Sequence, residues 1–113
     1  MDGNYYFGSD KLTVKYAAVS ASGSGNNTVV AAVTGKKIRV LGFLLVSALA
    51  VTVQWQSGAG GTALCGVMSL GITAAVNSGI SEAGLFETAS GALLNLSLGG
   101  AVSVGGYVIY VEV

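Results

Sequence analysis

Between Arg39 and Glu82 the chain carries no charged residue. An uncharged run of that length either enters a membrane or forms strands whose side chains are covered by other protein. The pattern inside the run separates the two. Residues 40–53 are its longest apolar stretch, but Gly42 and Ser47 interrupt it and Gln54 and Gln56 follow it. It therefore falls short of the ~20 apolar residues that a spanning helix needs. Over residues 50–56 the alternation is strict, with Val51, Val53 and Trp55 on one side and Thr52, Gln54 and Gln56 on the other. That period belongs to a strand, and no membrane partner is expected.

The same alternation recurs along the chain. Leu12, Val14 and Tyr16 alternate with Thr13 and Lys15, which predicts a strand over 12–18. A small-polar loop over 20–27 precedes strands over 28–33 and 37–46, which are separated by a turn at Thr34-Gly35-Lys36. Strands over 49–56, 62–70 and 71–76 follow, with the cluster Ser57-Gly58-Ala59-Gly60-Gly61 as a turn. Near the end Leu94, Leu96 and Leu98 alternate with Asn95 and Ser97, and Val102 and Val104 flank Ser103. A last strand carries Tyr107, Ile109, Val111 and Val113 on one face and Val108, Tyr110 and Glu112 on the other. No segment has helical periodicity. About eight strands with short connections predict an all-β fold, an antiparallel two-sheet sandwich. A jelly roll fits the count, and an eight-stranded closed barrel fits it almost as well, because pattern does not give strand order. Residues 1–10, with Tyr5, Tyr6 and Phe7 between Gly3 and Gly8, lack a period and read as an N-terminal arm. Residues 11–113 then form one domain.

The strand over 37–46 is apolar on both sides. Ile38, Val40, Leu44 and Val46 would share one face, and Arg39, Leu41, Phe43 and Leu45 the other. In so small a protein, two covered faces imply a core on one side and a partner subunit on the other. Leu41, Phe43 and Leu45 are accordingly the candidate subunit interface, and Tyr5, Tyr6 and Phe7 the arm that grips a neighbour. The composition agrees. A monomer of 11.2 kDa exposes about 5,700 Å², over which only ten charges are spread. A mean hydropathy of +0.72 implies that further apolar surface is buried against other subunits.

All five basic residues lie at or before Arg39, and three of the five acids lie at or after Glu82. In a ring of identical copies, Lys36, Lys37 and Arg39 of one subunit would face Glu82 and Glu87 of the next. With a net charge of +0 the chain cannot neutralise a row of phosphates, so nucleic acid is not an expected partner. There is no His and one Cys, which leaves no set of zinc ligands and a poor inventory for acid–base chemistry. Glu82 and Glu87 read as solvated carboxylates flanking the turn at Ala83-Gly84, and Cys65 as a small buried hydrophobe. The glycine clusters are turns, since none continues into a phosphate loop. No catalytic residue, cofactor or metal is expected. Met1-Asp2-Gly3-Asn4 shows no export signal, so synthesis in a cytoplasm is expected.

Residues 84–113, from Gly84-Leu85-Phe86-Glu87-Thr88-Ala89-Ser90-Gly91 to Tyr107-Val108-Ile109-Tyr110-Val111-Glu112-Val113, resemble the C-terminal half of small virion proteins of tailed bacteriophages. Gly35-Lys36-Lys37-Ile38-Arg39-Val40-Leu41-Gly42-Phe43 is similar to their first core strand. The resemblance implies a jelly-roll subunit, commonly a homotrimer, without enzyme activity. It would sit on the virion as a capsid decoration or cement protein that contacts the major capsid protein. The alternative it leaves is a tail or head fibre, or a receptor-binding module for a host surface ligand. Trp55 between Gln54 and Gln56 is the one aromatic candidate for such a ligand, although it shares a face with Val51 and Val53.

Overall fold

The computed structural model describes the backbone of residues 3–7 and 10–113 and the side chains from Leu12 onward. Among these residues the strands are β1 (Gly3–Phe7), β2 (Asp10–Ala21), β3 (Gly25–Val30), β4 (Ile38–Ser47), β5 (Val51–Ser57), β6 (Thr62–Ala63), β7 (Met68–Leu70), β8 (Ala75–Ile80), β9 (Phe86–Glu87), β10 (Leu94–Leu98) and β11 (Val104–Glu112). One antiparallel sheet has the order β1-β2-β11-β4-β8, with β9 also on β4. The other has the order β3-β10-β5-β6, with β7 also on β5. No helix of the described residues is long and apolar enough to cross a membrane.

The pairing is that of one long hairpin rolled up on itself. β2 pairs with β11, β3 with β10, β4 with β8 and β9, and β5 with β6 and β7. Rolling brings β11 beside β4 and β10 beside β5, which yields two sheets of four principal strands each. This is a jelly roll, and the closed barrel is set aside. Most of the eight strands read from the alternation fall within this frame, with three corrections. The strand expected over 28–33 is Gly25–Val30, the one expected over 71–76 starts only at Ala75 after a turn, and Val104 belongs to the continuous β11 and not to a separate strand with Val102. The higher count arises because the strand beside β4 is broken into β8 and β9, the strand beside β5 into β6 and β7, and because β1 is added at the edge. β1 pairs antiparallel with β2, from Gly3 opposite Val14 to Phe7 opposite Asp10. The side chains of Tyr5, Tyr6 and Phe7 lie outside the described residues.

The core lies between the sheets. β10 contributes Leu94, Leu96 and Leu98, and β5 contributes Val51, Val53 and Trp55, all buried. Trp55 is fully buried, its ring 5.5 Å from that of Phe43 in an edge-on contact and 6.4 Å from that of Phe86. Aromatic pairs at such spacings are favourable beyond the area they bury. Cys65 is half-buried against this core, and its Sγ accepts the Trp55 backbone N–H at 3.4 Å.

β4 does not keep one parity along its length. Opposite β11, Ile109 pairs with Gly42 but Tyr110 pairs with Val40, so Leu41 is an inserted residue, a bulge. Before it the core-facing residues are Ile38 and Val40; after it they are Phe43 and Leu45. The expected outward face of Leu41, Phe43 and Leu45 is therefore corrected for two of its three members. Phe43 and Leu45 are buried between the sheets, and only Leu41 joins a separate cluster on the other side of the sheet. A one-residue insertion exchanges the faces of every residue that follows it.

Candidate interaction surface

The two sheets present different outer faces. That of the second sheet is polar. Asn95 Nδ2 donates to Asn26 Oδ1 at 3.0 Å and to Gln56 Oε1 at 2.9 Å. Gln56 Nε2 donates to Gln54 Oε1 at 3.2 Å, and Gln54 Nε2 to the Cys65 carbonyl at 3.1 Å. These amides bond one another across β3, β10 and β5, although the buried Asn95 Oδ1 accepts no hydrogen bond among the described residues.

The outer face of the first sheet is apolar. In β11 the row that faces the core is Val104, Val108 and Tyr110, so the more apolar row of Tyr107, Ile109, Val111 and Val113 points outward. Register places Tyr16, Ile109, Gly42 and Ile80 side by side across β2, β11, β4 and β8. Gly42 carries no side chain, and Tyr16, Ile80, Tyr107 and Ile109 enclose an open groove of ≈ 310 Å³ above it. Tyr16 is 57% exposed, Ile80 69% and Tyr107 39%. Along one edge of the groove Leu41, Ile109 and Val111 form a buried cluster with Leu12, Val14 and Val113 packed on it. An antiparallel sheet commonly leaves one face to water, and that face is then polar; here it is apolar.

Gly42 is fixed by this arrangement. A Cβ there would overlap the Gly79 carbonyl oxygen of β8. Gly42→Ala is expected to push β8 away from β4 and to cost about 1–3 kcal/mol, measured as a lower midpoint in chemical denaturation.

The charged residues are arranged otherwise than expected. Glu87 of β9 is bound within its own subunit: its Oε1 lies 2.8 Å from Arg39 Nη2, and its Oε2 lies 3.3 Å from Lys37 Nζ. β9 lies beside the start of β4, with Glu87 opposite Arg39 and Phe86 opposite Val40. Lys15 pairs with Glu112 at 2.9 Å. Lys37, Arg39 and Glu87 are therefore not an intersubunit basic and acidic pair, because the long connection from β8 to β10 folds the acid back onto the bases. Lys36 and Glu82 are exposed.

Burial raises the Glu87 pKa, but hydrogen bonds and attraction from Arg39 and Lys37 outweigh it and hold the carboxyl below the ordinary value of 4.5. A carboxylate whose pKa is lowered on folding stabilises the fold above its ordinary value and loses that contribution as pH falls through the lowered one. Stability should thus decline below about pH 4.5. Glu87→Gln is expected to lower the melting temperature at neutral pH and to flatten this acid limb; an unchanged limb would show that the ion pairs contribute nothing.

No group of three or more His, Cys, Asp or Glu among the described residues is placed to hold a metal ion. Trp55, the candidate platform for a surface ligand, has no exposed area and cannot stack on anything outside the core. The groove residues Tyr16 and Ile80 were not singled out by sequence. Tyr16 sits in a recognisable alternating strand, but nothing in its pattern tells which side of the sheet the second one covers. Comparison with family models, with curated proteins and with solved structures finds no match for this chain.

Proposed function

We propose that the protein is a non-enzymatic structural subunit of a tailed-phage virion, a capsid decoration or cement protein that acts as a homotrimer. The observation that carries this reading is the outward apolar face of the first sheet. It is a surface that a subunit needs and a solitary domain does not. The resemblance of residues 84–113 to small phage virion proteins supplies the context, and the jelly-roll strand order agrees with it. In this reading the groove formed by Tyr16, Ile80, Tyr107 and Ile109 receives apolar side chains of the neighbouring copy. Cover of this kind removes charged residues from the centre of an interface and leaves them at its rim.

Cementing follows from linkage. A subunit that binds the assembled shell and not its separated parts stabilises the assembly in proportion to its occupancy. An oligomer that touches several major capsid subunits at once binds each contact with a high effective concentration. Cryo-electron microscopy of purified particles tests the reading. Copies tiling the head are expected. Copies confined to a tail or fibre, or particles that lack the protein, would overturn it.

A further inference from the structure

The hairpin roll sends its connections to two opposite ends of the sandwich, whose longest dimension is 43 Å. One end is made by residues 22–24, 48–50, 71–74 and 99–103, which join β2 to β3, β4 to β5, β7 to β8 and β10 to β11. None of these residues is charged. Lys36, Lys37, Arg39, Glu87 and Glu112 lie at the opposite end, where β4 begins, β11 finishes and β9 packs. Lys15 stands opposite Tyr110, and the connection that carries Glu82 is bonded to Leu41 and Val40, so the described charges gather away from the uncharged loops.

At the uncharged end Leu49 is 57% exposed and Ile72 69%. Their loops are tied together. Ser47 Oγ donates to the Gly71 carbonyl at 2.8 Å, the Ser47 N–H to the Ala74 carbonyl at 3.0 Å, and the Ala48 N–H to the Ser103 carbonyl at 2.9 Å. Thr73, directly after Ile72, has φ 54°. A β-branched residue in that region is strained, so the loop that presents Ile72 is held there against local preference.

We infer that this uncharged tip, with Leu49 and Ile72 at its centre, is the surface that seats on the capsid shell, and that the charged end points to solvent. The inference rests on the proposed function and adds the orientation of the subunit. Charge distribution chooses the occupant. The core of a protein–protein contact is depleted of charge, while a surface left in water keeps it. A lipid surface fits less well, because the tip has no Lys or Arg for anionic headgroups and no Trp or Tyr for the interface. A second copy is already accommodated by the lateral groove on β2, β11, β4 and β8, a different face. Two aliphatic side chains make a weak contact alone; three tips on one trimer make a firm one.

The test uses the full chain and particles purified from a phage whose copy of this coding sequence is deleted. Leu49→Asp with Ile72→Asp should keep the oligomer mass of the wild type and lose particle binding by roughly a hundredfold or more, as avidity multiplies the loss at each tip. Leu49→Ser with Ile72→Ser should show a smaller loss in the same direction, with the same fold by circular dichroism. Lys36→Glu with Lys37→Glu, at the other end, should bind as wild type does. Unchanged binding in both tip variants would overturn the orientation and leave the shell reading standing. A tip variant that falls to monomers would assign the tip to self-association, and flotation of the wild type with zwitterionic vesicles would assign it to lipid; each overturns the inference. Wild-type protein that binds no particle would instead remove the proposed function, and the orientation with it.

Discussion

Phe43→Asp is expected to leave no folded protein. The Phe43 ring is 7% exposed and packs against both Trp55 and Phe86. An aspartate there has no cation within the core to pair with. Truncating a buried phenylalanine costs about 3–5 kcal/mol, and placing an unpaired carboxylate in the space adds several more. The sum rivals the ~5–15 kcal/mol that stabilises a typical domain. Circular dichroism should show loss of the β spectrum and of the cooperative melt. A folded, monomeric Phe43→Asp protein would mean that the ring faces a partner, and that the bulge at Leu41 is wrongly placed.

The second large effect is expected on the other face of the same sheet. Ile80→Asp with Tyr107→Asp should give a folded monomer. Both side chains are exposed in the isolated subunit, so water already reaches them and the fold loses little. In the oligomer each aspartate would be desolvated against an apolar neighbour. Central interface residues of this kind contribute about 2 kcal/mol or more apiece, roughly a thousandfold in association for the pair if the contributions add. The melting temperature of the subunit itself should move by a few degrees at most. Sedimentation at matched concentration separates the species. A variant that retains the wild-type mass would place the interface elsewhere.

These two substitutions show where sequence is a sufficient guide and where it stops. Strand faces were legible where the alternation is unbroken: Val51, Val53 and Trp55 face the core as their period requires, and so do Leu94, Leu96 and Leu98. Where small residues blur the period, as over 28–33 and 71–76, the strands are displaced to Gly25–Val30 and Ala75–Ile80. The apolar character of both faces of β4 was also legible, and with it the surplus of apolar surface. The identity of the outward residues was not. That depends on Leu41 standing opposite no residue of β11, a feature of strand pairing with no signature in β4 alone. Only Leu41 of the three expected outward residues lies outside the main core, and Leu44 and Val46 take the places assigned to Phe43 and Leu45.

Charge placement failed for a related reason. Arg39 and Glu87 are 48 residues apart, and separation in sequence suggested opposite ends of a dipole. The jelly roll returns the connection after β8 to the start of β4, so the two meet within one subunit. The same topology produces what no linear reading shows: loops from four distant parts of the chain form one end without charge. A pattern that is scattered in sequence becomes contiguous only after the hairpin is rolled.

The outward face of the first sheet bears the whole account, and sedimentation velocity of the wild-type protein tests it most directly. A species of about three times 11.2 kDa, constant over a wide range of concentration, is the predicted result. A sharp boundary at the mass of one chain, with no association at the highest concentration, would contradict it.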